Sequence, residues 1–359
     1  MTLSLVTAGE SHGPALVAIV SGLPAGLVLD REAIDADLSR RQQGYGRSPR
    51  QSIETDTVEV LAGLRHGRTL GTPLALVVRN RDHANWEWGM NPWPPHGEPQ
   101  GKGSKPVTLP RPGHADLAGS QKYGLADVRD ALERASARHT AVVVAAGACA
   151  KALLQEIGIE VAGSVVTSDL EARIDAARAE RDTVGGVIEV RARDVPPGLG
   201  SYASKSDRLD GRLGAALMSI QAVKGVEIGE GFALAGRRGS EAHDEIIRDE
   251  RGIHRGTNHA GGIEAGVSNG EEIVVRAAMK PLPTLMKPLA SVDLATGEPA
   301  QALVERSDVA AVEALAVVAE ASVAFELARV AREKFGGDAV GDFVSAWRAY
   351  LGRIARGSG

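Results

Sequence analysis

The chain has 359 residues, 43% hydrophobic and 24% charged, with a formal net charge of −5. That is ample apolar material for a core, and the wrong charge balance for a general nucleic-acid binder, which carries a basic surplus. One cysteine, Cys149, rules out an internal disulfide and fits a reducing, cytoplasmic setting. The longest small-apolar run, residues 141–150, falls short of the roughly 20 residues that a spanning helix needs. No basic stretch precedes a long apolar one at the N-terminus, so neither membrane insertion nor export is expected.

In chain order, LSLVT and LVAIV read as the first strands, GLPAG as a turn and LVL as a third strand. Asp30 is a natural N-cap for the helical spacing of REAIDADLSRR. TVEVL and PLALVV read as further strands joined by a glycine-containing turn. Residues 84–106, crowded with Trp, Pro, Gly and Asn, read as a long irregular loop. From Asp127 a single long helix is expected to run to Gly158 as its C-cap, its Ala/Val interior and Gly147 marking it as a central, buried helix. A strand (IEVAGSVV), a surface helix (DLEARIDAARAER), a strand (GGVIEVRAR) and an amphipathic helix (SDRLDGRLGAALMSIQAV) follow. GTNHAGGIEAGVSNG is too glycine-rich for an element interior. EEIVVRAAMK alternates as a strand does, and a last long helix is expected from about Val309 to Lys334. Paired strands flank helices without strict βαβ alternation, which points to an α+β fold. No internal repeat is visible. Residues 1–340 are expected to form one domain, with a C-terminal tail over 341–359.

Familiar short motifs are missing. GEPQGKGSK lacks P-loop spacing, GGIEAG is a poor dinucleotide fingerprint, no G-x-S-x-G elbow occurs, and one cysteine with scattered histidines makes no zinc site. What remains is a set of polar residues on glycine- and proline-rich segments. His12 sits in GESHGP where a strand ends and little is expected to shield it. His114 sits in LPRPGHADLAG beside Arg111. SRRQQGYGRSPRQ carries four arginines and no acid, Arg41, Arg47 and Arg50 among them. RASAR places Ser136 and Arg138 early in the long helix, KPLPT ends a strand with Lys280 and two stiffening prolines, and RSD brings Arg306 and Asp308 to the last helix, with Asp308 a candidate N-cap. Arginine matches phosphate and carboxylate with paired hydrogen bonds, and histidine titrates near neutrality. The residues alone therefore point to an enzyme for a small, highly anionic, phosphorylated substrate, with histidine acid–base help. A flavin-dependent oxidoreductase, or an anion- or RNA-binding protein using residues 39–51, are the rival readings. Net charge and the 3% aromatic content count against the second rival.

These segments also resemble the chorismate synthase family along residues 1–340. GESHGPALVAIVSGLP, ERASARHTAVVVAAGA and RSDVAAVEALAVVAEAS look like its three signatures, with RRQQGYGR, RPGHAD, IQAVKGVEIG, NHAGGIEAGVSNG and MKPLPTLMKPL between them in the family's order. The resemblance implies a helical core between two antiparallel sheets, a homotetramer, and conversion of 5-enolpyruvylshikimate 3-phosphate to chorismate. That reaction is a 1,4-anti elimination which needs reduced FMN without net redox change. By the same resemblance His12 protonates the departing phosphate, His114 protonates or holds the flavin, and Asp308 works beside it in removing the substrate proton. Ser11, Arg41, Arg47, Arg50 and Arg111 match positions that bind anions. Ser136, Ala137, Arg138, Gln221, Ala222, Ala265, Lys280, Pro281, Leu282, Pro283, Thr284 and Arg306 match flavin-binding segments. Two departures stand out: Ala265 replaces a usual glycine, and His139 replaces a common acidic residue. No additional segment suggests a built-in NADPH-dependent flavin reductase, so reduced flavin is expected from a separate enzyme.

Overall fold

The computed structural model describes residues 2–47, 55–250, 252–304 and 308–357. β1 (Ser4–Ala8) and β2 (Ala15–Ser21) form an antiparallel hairpin, with Ser4 opposite Ser21 and Ala8 opposite Val17. The GESHGP motif is thus the loop of this hairpin. Gly9, at φ +110°, opens it, and a Cβ there would lie 2.5 Å from the carbonyl oxygen of Ala15. That position therefore demands glycine twice over. LVL does not become a strand beyond isolated bridging at Val28.

α1 (Arg31–Gln42) begins as expected, Asp30 accepting the Glu32 amide at 2.9 Å. β3 (Glu59–Ala62) and β4 (Leu74–Arg79) complete the first sheet in the order β1-β2-β4-β3. In β2 the alternate residues Leu16, Ala18 and Val20 are fully buried, the period-2 pattern of a strand with one core face. After the loop comes α2 (Asp116–Tyr123), which the residue pattern did not reveal.

The long helix expected from Asp127 is broken. α3 (Arg129–Ala135) ends at Ser136, whose backbone is extended (ψ 141°); a 3-10 turn over Ala137–His139 leads into α4 (Thr140–Gln155). Regular helix ends three residues before Gly158, which takes φ +76°. The helical stretch from 129 to 155, taken together, is long and apolar enough to cross a membrane, yet 67% of its most apolar window is buried inside the protein, as for a central helix.

β5 (Glu160–Val165), α5 (Leu170–Glu180), β6 (Gly186–Arg193), α6 (Leu209–Met218), β7 (Val223–Ile228) and β8 (Ile273–Met279) follow. Their strands form a second antiparallel sheet in the order β5-β6-β8-β7. The two four-stranded sheets therefore share one connectivity, first-second-fourth-third, although no repeat is visible in the residues. α7 (Val312–Phe335) closes this half.

α4 lies on β2 and β4 of the first sheet, α7 on β5 and β6 of the second, and the two helices pack on each other. The result is the expected α+β sandwich, sheet–helix–helix–sheet. Gly147 sets the approach of the helices: a Cβ there would sit 2.6 Å from the Ala321 Cα. Cys149 is buried on α4, and burial pushes its thiol up to about 12. One hydrophobic cluster joins both sheets and the helices between them.

The segment expected as a polar tail is instead α8 (Val340–Gly357). Phe343 and Trp347, four residues apart and so on one face, are buried, and Trp347 meets the Phe335 ring edge-on at 5.3 Å.

Candidate functional site

Three clusters carry the expected residues. The first lies where the β1–β2 loop meets the end of α3. His12 is only 6% exposed, contrary to the expectation that its glycine neighbours leave it unshielded. Its Nδ1 lies 2.8 Å from Glu133 Oε1, its main-chain amide donates to Glu133 Oε2 at 2.8 Å, and the amide of Ser11 donates to the carbonyl of Glu133 at 3.1 Å. The Trp86 ring covers the imidazole face, centroids 4.0 Å apart and planes inclined by 21°. Trp86 is held in turn by its indole N–H on Asp82 and lies under the Arg129 guanidinium. The Trp/Pro-rich loop thus contributes a wall of the site through its first tryptophan. Ser136 donates to Ser11 at 3.2 Å, and Arg134 holds the end of β1 through the Thr7 and Gly9 carbonyls.

Beside this hairpin loop, three guanidinium groups converge. Arg41 and Arg138 both bond Asp56 at 2.7 Å, and Arg138 also bonds Asn80, which clasps the carbonyls of Glu10 and Gly13. Burial, and then the charges of Arg138 and Arg47, hold the Arg41 guanidinium below its ordinary value, although Asp56 opposes them. Among the described residues, the buried Nε atoms of Arg41, Arg47 and Arg129 have no hydrogen-bond partner. Three guanidinium groups set against two carboxylates, Asp56 and Asp308, leave a surplus of positive charge that suits an anion.

The second cluster is Arg111–His114–Asp116. His114 Nδ1 lies 2.5 Å from Asp116 Oδ1, Arg111 Nε donates to Asp116 Oδ2 at 2.9 Å, and Arg111 reaches Thr284 at 3.1 Å. Burial works against ionisation of Asp116, but the hydrogen bonds from His114 and Arg111 outweigh it and hold the carboxyl well below the usual range. Lys280 donates to the carbonyl of Gly113, tying KPLPT to this cluster; burial and the nearby Lys224 lower its ammonium.

In the third, Asp308 pairs with Arg47 at 2.9 Å. It is not the N-cap of the last helix: α7 starts at Val312, after Ala311, with no side-chain cap. Main-chain bonds join the clusters. Val309 donates to Gly46 and Val184 to Val309, Thr183 donates to Leu282, and Lys280 donates to the carbonyl of Ala222. Gln221 Nε2 lies 2.9 Å from His139 Nδ1, in the turn that follows Ser136. Burial, opposed by a bond to the Ser136 carbonyl, keeps the His139 imidazole below its ordinary value and so favours the neutral ring.

Ser11, His12, Arg41, Arg47, Arg111, His114, Ser136, Arg138, Gln221, Ala222, Lys280, Leu282, Thr284 and Asp308 are thus joined in one network, with Ala137, Pro281 and Pro283 on its segments. Ala265 has a different setting. It occupies the first position of a two-residue hairpin turn, at φ +50°, followed by Gly266 at φ +83°, and this turn packs on Arg208 and Leu209 at the start of α6. Arg50 and Arg306 lie outside the described residues. Residue patterns missed Glu133, Trp86, Asp56, Asn80 and Asp116. Only Glu133, immediately before RASAR, and Asp116, two residues after His114, carried a positional signal.

The sequence profile described as chorismate synthase matches residues 3–170 and 164–331. The chain belongs to the chorismate synthase family. It is 51% identical to the chorismate synthase of Rubrobacter xylanophilus, over 99% of this chain and 98% of that protein, and 52% identical to that of Desulforudis audaxviator, over 98% of each. A crystal structure of chorismate synthase superposes with a TM-score of 0.78 at 37% identity, covering 99% of this chain and 98% of its own. The family assigns the chain as a carbon–oxygen lyase and agrees with the α+β sandwich.

Proposed function

We propose that this chain converts 5-enolpyruvylshikimate 3-phosphate to chorismate and inorganic phosphate, a 1,4-anti elimination in the shikimate pathway, with reduced FMN as cofactor. The observation that carries the reading is the convergence of Arg41, Arg47 and Arg138 beside His12, with Nε atoms on Arg41 and Arg47 that have no partner among the described residues. A substrate with one phosphate and two carboxylates supplies the acceptors such donors lack.

In this reading His12, fixed by Glu133 and Trp86, gives a proton to the departing phosphate. Asp308, oriented by Arg47, takes part in removing the substrate proton. Arg111 and His114, locked on Asp116, hold the flavin side of the site in place. The residues suit a flavin: Lys280–Thr284 is anchored from behind by Thr183 on the Leu282 carbonyl and by Lys280 on Gly113, and two prolines stiffen it. Such a segment offers a flat ring a rigid backbone surface, with Lys280 and Arg111 as cations for its anionic parts. Held by these residues, reduced FMN would supply transient electron density to the substrate, with no net redox change. The working enzyme in this reading is a cytoplasmic homotetramer supplied with reduced flavin by a separate reductase.

An anaerobic assay tests it: protein, substrate and photoreduced FMN, following chorismate absorbance. Product with reduced but not oxidised FMN is expected. Product from oxidised FMN plus NADPH alone would assign a reductase activity to this chain as well, and no product from folded protein would overturn the reading.

A further inference from the structure

We infer that Glu133 is the positioning residue that fixes the tautomer and charge of His12; the inference rests on the reading of His12 as the proton donor. Glu133 is 1% exposed, and three bonds run from it to residues 11 and 12. One of its oxygens accepts the His12 main-chain amide and the other faces Nδ1. As a carboxylate, Glu133 offers acceptors only, and so places the hydrogen on Nδ1. The proton available to a leaving group is then the one on Nε2 of an imidazolium whose counter-ion is Glu133.

The other described groups near the ring have different contacts. Arg129, one turn earlier on α3, lies 3.8 Å from Glu133 Oε1, while its guanidinium faces Trp86 rather than the imidazole. Asp82 and Lys102 contact Trp86, the ring that covers the imidazole, and His83 contacts the main-chain carbonyl of His12. Glu10 lies in the same loop, beside Gly13.

Glu133→Gln is close to isosteric but has one acceptor where two are needed. Its oxygen must serve the main-chain amide, which turns its NH2 toward Nδ1 and so favours the neutral Nε2–H tautomer. Turnover at neutral pH should fall by roughly 10²–10⁴-fold, the span of one general acid. KM should change much less, and the alkaline limb of the kcat profile should move to lower pH. Glu133→Asp keeps both acceptors and should recover part of the loss. Nitrogen NMR of His12 in the flavin-free protein reads the same switch without turnover: hydrogen on Nδ1 in the wild type and on Nε2 in Glu133→Gln. Wild-type kcat and an unmoved alkaline limb in Glu133→Gln, with His12→Ala inactive, would overturn this inference and leave His12 as the acid. Identical His12 tautomers in the wild type and Glu133→Gln would overturn it too. A fully active His12→Ala would instead remove the reading on which the inference rests.

Discussion

Gly147→Ala sets two effects of opposite sign against each other at the α4–α7 seam. In an isolated helix the change is favourable by about 1 kcal/mol, because alanine loses less backbone freedom than glycine. Here the new Cβ would lie 2.6 Å from the Ala321 Cα and 2.8 Å from its carbonyl oxygen. Both are main-chain atoms of a buried helix, so no side chain can swing aside. Relief to a normal contact requires α4 and α7 to part by about an ångström, along two helices that touch both sheets. Overpacking of this kind costs about 1–3 kcal/mol or more. The clash is with backbone, so the upper part of that range applies, and net destabilisation of roughly 1–2 kcal/mol should remain after the propensity gain. Urea unfolding followed by far-ultraviolet circular dichroism reads it as a lower midpoint at unchanged slope. Ala321→Gly in the same chain should restore only part of the loss, because the Cα and carbonyl contacts persist. A midpoint equal to or above that of the wild type would refute the reasoning, since it would mean that propensity governs this site.

Two smaller changes test other parts of the fold and site. Ala265→Gly relieves a left-handed residue, which costs an L-amino acid roughly 1–2 kcal/mol, against about 0.5–1 kcal/mol of extra chain entropy for glycine. A net gain of about 0.5–1 kcal/mol is expected in the same unfolding assay, and a loss would contradict the strain account. Asp116 is held ionised below its usual range, so the stability it contributes is present above its unfolded value of about 4 and is lost as pH falls toward its folded one. Asp116→Asn should therefore be less stable than the wild type at neutral pH, with the difference shrinking below about pH 4. A constant difference in the urea midpoint from pH 7 to pH 3 would show that the Arg111–His114–Asp116 bonds carry no such linkage.

Much of the fold was legible because it is written in local patterns. The burial alternation of β2, the Asp30 cap and the small residues of α4 are each properties of a few neighbouring residues. What failed depended on distant partners. The break at Ser136 serves the bond from Ser136 to Ser11, 125 residues away, and helical periodicity carries no trace of it. Asp308 has the residue type and place of a cap, but its carboxylate goes to Arg47. β7 is interrupted by Gly225 and made a strand by pairing with β8. α8 is a different case: Phe343, Trp347 and Leu351 recur every four residues, so the helical signal was present in a segment taken for a tail. At the site, the glycine- and proline-flanked histidines and arginines stood out as residues, whereas Glu133, Trp86 and Asp56 were invisible as partners because contact across the fold defines them.

The central claim is that this chain eliminates phosphate using His12 as the proton donor. The most direct test is anaerobic phosphate release from 5-enolpyruvylshikimate 3-phosphate with photoreduced FMN, by the wild type and by His12→Ala at equal flavin occupancy. The expected result is turnover by the wild type and a loss of roughly 10²–10⁴-fold in the variant with flavin affinity retained. Equal rates from the two proteins, or none from a folded wild type, would contradict it.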